Sequence, residues 1–401
     1  MPQFLASADC FKILRSLARD EMNRLRRRTD PFFEELSLTP ENRFNEPPLA
    51  LTGAELDAVA GRVAGFFTSE SLRPADLLPL ATLGAWADAV VALWGNEPNV
   101  VTFFTSGSTG DPKPVLRHLF FLEQDARFTA EQFETIGRIV VLAPPHHIYG
   151  FIYAILLPKL YGLECFDGRG LAPAALVERL EQDDLVVATP FHWNLLARHA
   201  EMLPRVHGLC SGAPLPPQTT LTLKAKGLGK WLELYGSTEC GAMGYRQDPE
   251  APFTLCPHWA PCEAQTMGQD TFTRSCADGA LSAPYVFQDH LEWVDSSRFF
   301  VRGRRDEAVQ VAGVNVFPAR VERCILESGL AAECAVRLMH PDQGDRLKAF
   351  IVTHQGQTPD PTMKDQLNAF LASQLGPLEL PRSITYGDKL PCTPMGKLMD
   401  W

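Results

Sequence analysis

The sequence predicts an α/β protein with a large N-terminal domain of several parts and a small α+β domain after it, and three observations predict this. From Val100 onward, short β-branched or apolar runs alternate with helical stretches, the pattern of strands and helices that share a sheet. After Pro249 the chain turns rich in Pro, Gly and Cys as far as Tyr285, without helical periodicity, which predicts a smaller β-rich subdomain. From Val309 on, strands and helices alternate again over a length that suits one small α+β domain.

Taken in order, the first hundred residues read as a helical lead-in. Leu14, Leu17 and Leu25 lie at helical spacing among Lys12, Arg15, Arg19, Arg24, Arg26, Arg27 and Arg28, which predicts a helix with a solvated basic face or, alternatively, a docking patch for an acidic partner. Leu56, Val59, Val63 and Phe67 mark a second helix, and a Pro-containing connector follows at 73–79. Strands are expected at 100–104, 139–142, 185–188, 230–234 and 299–302. The last domain should hold a Gly turn, a helix at 319–327, strands at 333–339 and 349–353, a helix at 362–375 and an extended tail.

Composition narrows the function without naming it. A chain of 401 residues, 45% hydrophobic and 21% charged, is a globular protein of two or three domains. A net charge of −11 argues against coating nucleic acid or an anionic membrane surface. No apolar run approaches the roughly 18 residues that would span a bilayer, and no basic start precedes an apolar stretch, so a cytoplasmic protein without membrane insertion is expected. Ten scattered cysteines suit a reducing compartment. Cys256, His258, Cys262 and Cys276 cluster in sequence, but their spacing fits no structural zinc pattern.

The run Thr105-Ser106-Gly107-Ser108-Thr109-Gly110-Asp111-Pro112-Lys113 follows directly on the first expected strand. Its glycines let the backbone turn N–H groups toward an anion, its hydroxyls add donors, and Lys113 adds positive charge. The spacing departs from that of a P-loop NTPase, and by itself the run could be a flexible connector. In this order, however, TSGSTGDPK resembles the phosphate loop of the adenylate-forming superfamily, which includes acyl-CoA synthetases, adenylation domains of nonribosomal peptide synthetases and luciferases. Pro114 stands where that family has Gly.

Further motifs appear downstream in the family's order. Pro144-Pro145-His146-His147-Ile148-Tyr149-Gly150-Phe151 resembles its P-x-x-H-x-x-G segment, which places His147 where acyl substrate and phosphate meet. Ser211-Gly212-Ala213-Pro214-Leu215 resembles a wall of the adenine site. Tyr235-Gly236-Ser237-Thr238-Glu239 matches Y-G-x-T-E; by resemblance Tyr235 stacks on adenine, Thr238 bonds the α-phosphate region and Glu239 holds Mg²⁺. Asp289 stands at the family's ribose aspartate, preceded by Phe287-Gln288 rather than Thr-Gly. Gly303-Arg304-Arg305-Asp306 resembles the hinge, with Arg304 reaching ribose or phosphate and Asp306 as pivot. The Val309 to Glu322 stretch resembles the hairpin whose Gly313 lines a thiol tunnel, and Pro391-Cys392-Thr393-Pro394-Met395-Gly396-Lys397 resembles the tail whose lysine serves the first half-reaction.

The resemblance implies the adenylate-forming fold: an adenylation core over 1–303 and a mobile C-terminal domain over 304–401 that turns near Asp306. It implies an ATP- and Mg²⁺-dependent acid–thiol ligase, with Lys113 on the β/γ-phosphates and Lys397 bridging carboxylate and phosphate oxygens. The family usually places about 50 more residues before its phosphate loop. Such compactness resembles the stand-alone ligases that load aryl acids, such as hydroxybenzoate or a cinnamate, onto an acyl carrier protein in pigment pathways of the aryl polyene or xanthomonadin type. Free coenzyme A as acceptor and an inactive nucleotide-binding scaffold are the alternatives. His147, Phe151, Trp193, Gly236 and Met243 are the expected acyl pocket, although Phe151 and Trp193 could equally be core aromatics.

Overall fold

The computed structural model describes residues 4–26, 38–94, 100–106, 112–213, 215–262, 271–276, 279–287, 289–304, 308–312, 314–340, 344–354, 359–391, 399 and 401. The chain forms two units. One comprises 1–105, 114–287 and 291–301; the other comprises 106–113, 288–290 and 302–401.

The first unit begins with four helices, α1 (Ser7–Arg26), α2 (Gly53–Phe66), α3 (Pro74–Leu77) and α4 (Leu83–Trp94). Thr52 starts α2 with a capping box, its hydroxyl accepting from the Glu55 N–H while the Glu55 carboxylate accepts from the Thr52 N–H; two otherwise orphaned donors are satisfied at once. Strands β1 (Val100–Ser106) and β2 (Pro112–His118) form a two-stranded sheet, and helix α5 (Leu119–Glu131) follows.

The scaffold is a nine-stranded sheet. Its members in chain order are β3 (Arg138–Val141), β4 (Cys165–Asp167), β5 (Asp184–Ala188), β6 (His207–Cys210), β7 (Trp231–Ser237), β8 (Gly241–Arg246) and β9 (Phe253–Leu255). The small-sheet strands β10 (Trp259–Pro261), β11 (Thr271–Arg274) and β12 (Tyr285–Val286) intervene before β13 (Asp289–Trp293) and β14 (Arg298–Arg304) complete it. Across the sheet the order is β13-β14-β9-β8-β7-β6-β5-β3-β4. The pairs β4/β3, β3/β5, β5/β6 and β6/β7 are parallel, whereas β7/β8 and β8/β9 are antiparallel.

Both faces of the parallel half are covered, as parallel sheets require. Ile139, Val141, Leu185, Val187, Leu209 and Leu232 point into one core, shared with α1, α2 and α4. The residues between them, Val140, Val186, Ala188, Cys210 and Trp231, point into a second core. That period of two turns each continuous apolar run into a strand wetted on neither face.

The second unit contains a hairpin of β15 (Val309–Val311) and β16 (Val314–Val316), and a sheet of β17 (Glu333–Leu338), β18 (Leu347–Val352) and β19 (Ser383–Gly387) backed by helices Pro318–Glu327 and Pro361–Gln374. The tail, expected to be extended, contains a strand: β19 pairs parallel with β18, Phe350 opposite Thr385.

Helix α1 corrects the reading of a solvated basic face. Arg15 and Arg19 are buried or nearly so, Arg15 pairs with Asp167 at 2.9 Å, and Arg26 pairs with Glu55 at 2.6 Å. Asp167 and Glu55, which neutralise Arg15 and Arg26, come from distant segments, so local charge counting could not find them. No helix among the described residues is long and apolar enough to cross a membrane.

Candidate active site

Because β3, β5, β6 and β7 run parallel, their C-terminal ends share one edge, where α/β sheets bind ligands. That edge carries three of the motifs. The Pro144–His147 segment follows β3, Ser211–Ala213 follows β6, and Tyr235–Glu239 forms the end of β7 and the turn after it. The Ser211 hydroxyl donates to the Leu234 carbonyl at 3.0 Å, tying the small-residue turn to the strand that presents Tyr235. Gly212, at φ +98° with open space around it, leaves that turn flat. Tyr235 is half-buried against Phe253 and Phe299, at 5.7 and 5.6 Å between ring centroids. Thr238 and Glu239 are half-buried in the turn.

His147 reaches solvent, yet desolvation by the protein around it lowers its pKa, with Asp20 opposing and Arg62 and Arg169 adding to the effect. Its ring lies 4.2 Å from that of His146. Burial pushes His146 well below its usual pKa, so both imidazoles are neutral at pH 7. The Ser16 hydroxyl lies 2.8 Å from His146 Nδ1, and Asp20 Oδ2 lies 3.8 Å from Nε2. Arg62 approaches Asp20 at 3.5 Å, and Arg169 donates to Ser16 at 3.3 Å and to Asp167 at 2.6 Å. Helices α1 and α2 thus wall the histidine pair with charge, an arrangement that no local spacing announced.

Behind the β7–β8 turn lies a second polar cluster that the sequence reading missed. Asp125 of α5, fully buried, receives Arg274 of β11 at 2.6 Å and the Ala242 N–H at 3.2 Å, with His258 Nε2 at 3.4 Å. Arg274 also donates to Gln124 at 2.7 Å and to the Phe121 carbonyl at 2.7 Å. A Cβ on Gly241, at φ +77°, would strike the Asp125 carboxylate, and one on Gly236 would strike the Gly241 carbonyl. Both positions therefore require glycine for close packing, whatever else they do.

The expected acyl pocket divides. Phe151 and Met243 are fully buried in the first core, Phe151 edge-on to Phe66 and Phe103 at 5.9 and 5.7 Å. Trp193 belongs to the second core, edge-on to Trp231 at 5.2 Å and donating to the Leu209 carbonyl. The structure places it in a different core from Phe151 and Met243, the setting of the core-aromatic alternative. Trp193→Leu should accordingly cost about 1–3 kcal/mol of stability in urea melts while the KM for the acid stays constant.

Thr105 is half-buried in β1, Lys113 is exposed in β2, and Asp289 opens β13. Ser106 and Arg304 fall in β1 and β14. Gly107, Ser108, Thr109, Gly110, Pro214, Asp306, Gly313 and Lys397 lie outside the described residues.

Residues 68–263 match the AMP-binding enzyme family and 320–397 match the AMP-binding enzyme C-terminal domain. A 4-coumarate–CoA ligase of Halorhodospira halophila is 32% identical over 399 residues, 99% of this chain and 100% of the relative. A 3,4-dihydroxybenzoate–[aryl-carrier protein] ligase of Bacillus anthracis is 24% identical over 308 residues, 75% of this chain and 72% of the relative. Among solved structures, an amide bond synthetase from Marinactinospora thermotolerans shares the fold with a TM-score of 0.61 at 16% identity, covering 97% of this chain and 92% of that one.

Proposed function

The chain belongs to the AMP-binding enzyme family and is an AMP-forming acid–thiol ligase that activates a carboxylic acid with ATP, and from that premise we propose that it joins a 4-hydroxycinnamate-type acid to coenzyme A. The observation that carries the reading is the convergence of His147, the Ser211–Ala213 turn and Tyr235–Glu239 on one edge of four parallel strands. The substrate class and acceptor are supported by similarity to a 4-coumarate–CoA ligase along 99% of the chain. The carrier protein expected from the sequence thus gives way to coenzyme A, and it stays as the second reading because of the shorter similarity to an aryl-carrier protein ligase.

Attack of a carboxylate on the α-phosphate brings two anions together, so the task is positioning and charge neutralisation rather than proton transfer. In the proposed assignment Tyr235 stacks on adenine against the Gly212–Ala213 turn, Thr238 bonds the α-phosphate region, Asp289 bonds ribose, and Arg304 reaches ribose or phosphate. Thr105, Ser106, Gly107, Ser108, Thr109 and Gly110 line the triphosphate with Lys113. Glu239, a half-buried carboxylate at a strand end, suits Mg²⁺, which when bound would neutralise phosphate charge. The neutral His147 accepts or donates a hydrogen bond without adding charge where carboxylate and phosphate meet. Lys397 serves the first half-reaction, and residues 304–401 turn about Asp306 to bring Gly313 to the thiol for the second.

A panel of aryl and fatty acids screened by pyrophosphate release should rank 4-coumarate first. With equal concentrations of coenzyme A and phosphopantetheinylated carrier protein, the coenzyme A thioester should dominate. A carrier-protein kcat/KM more than about tenfold higher would replace the acceptor, and fastest release with a fatty acid would replace the substrate class.

A further inference from the structure

The turn that carries Glu239 is gripped from behind by buried cations. Arg117, at the end of β2, donates to the Glu239 carbonyl, and Arg274 donates to the Cys240 carbonyl at 2.9 Å. Asp125 takes the N–H of Ala242 at 3.2 Å. Residues 239, 240 and 242 are therefore each held through the backbone, and the intervening Gly241 adopts the positive φ that lets the chain turn within this grip.

Tying down a carbonyl does not require arginine. A neutral donor or a water would satisfy it, whereas a buried guanidinium carries a desolvation cost. That cost is visible at Arg117, whose pKa is lowered by burial and whose hydrogen bond among the described residues goes to the Glu239 carbonyl alone. What a planar, rigid donor adds over water is a fixed direction.

We propose that Arg117 and Arg274 are positioning residues for Glu239. By fixing the two peptide planes that follow it, they present its carboxylate to the metal–triphosphate with little conformational freedom left to lose on binding. The inference rests on the reading of Glu239 as the Mg²⁺ ligand.

The test is calorimetric binding of a non-hydrolysable ATP analogue to the full chain with and without Mg²⁺. Four proteins are compared: wild type, Glu239→Gln, Arg117→Met and Arg117→Lys, with Arg117→Gln replacing the Met variant if that one does not fold. Arg117→Met should lose about tenfold of the affinity gained from Mg²⁺, with metal-free binding changed less than about twofold, and Arg117→Lys, which keeps a donor for the carbonyl, should recover most of the gain. If Glu239→Gln keeps the full gain, the reading of Glu239 is wrong. If Glu239→Gln loses the gain while Arg117→Met keeps it, Glu239 stands and the positioning role falls. Equal weakening of metal-free and metal-dependent binding by Arg117→Met also overturns the proposal.

Discussion

Lys397→Ala is expected to abolish formation of the adenylate while leaving thioester formation from supplied acyl-adenylate within about threefold of wild type. The expectation follows from where charge builds up in each half-reaction. In the first, an anionic carboxylate meets an anionic α-phosphate, and a cation that bridges both is worth the 10²–10³-fold typical of one preorganised donor, or more. In the second, a thiol attacks the acyl carbon of the anionic acyl-adenylate and AMP departs, after the proposed turn about Asp306 has carried Lys397 out of the site, so the ammonium takes no part in that step. Acid-dependent pyrophosphate exchange reads the first step, and coenzyme A thioester made from synthetic acyl-AMP reads the second. Equal loss in both would remove Lys397 from its assigned role.

The second large effect falls on stability. Asp125→Ala would leave Arg274 and Arg117 as two buried guanidiniums near one another, with the carboxylate that Arg274 contacts at 2.6 Å gone. Breaking a buried pair from one side costs about 3–5 kcal/mol, which in a unit of this size corresponds to a melting temperature lower by roughly 4–8 °C. The deficit depends on pH in a definite direction. Burial alone would raise the Asp125 pKa, but the Arg274 guanidinium and the His258 hydrogen bond outweigh it and hold the carboxyl below its ordinary value. A depressed folded pKa stabilises the protein above the unfolded carboxyl pKa of about 4, and the contribution fades as pH falls through the folded value. Urea melts should therefore show a full gap between variant and wild type at pH 7 that narrows below about pH 4. A gap independent of pH would mean that the carboxylate's charge contributes nothing.

Much of the scaffold was legible because its strands are continuous apolar runs covered on both faces. The run at 185–188 appears as Asp184–Ala188 with every residue buried, and the helix expected at 362–375 appears as Pro361–Gln374. The motif order also placed Ser211 and Tyr235 on adjacent strand ends, where the Ser211–Leu234 bond joins them. Two features escaped. Periodicity says that a helix has an apolar side but not which face of a sheet it covers, so nothing local separates Trp193 from Phe151, which lie in different cores. Ion pairs closed over long sequence separations, such as Arg274 with Asp125 at 149 positions, leave no local trace, and each partner alone reads as a surface charge.

The same long reach bears on how the chain matures on the ribosome. Helix α1 packs on α2 and α4, so its apolar side is covered once residue 94 has emerged. Ser16 and Arg15 find His146 and Asp167 only across 130 and 152 positions. At the usual pace of translation those partners arrive about 3–10 s and about 4–15 s after α4. During that interval Arg15 lacks the carboxylate that neutralises it in the finished enzyme, whereas Arg24 and Arg26 already have Glu21 and Glu55 within reach.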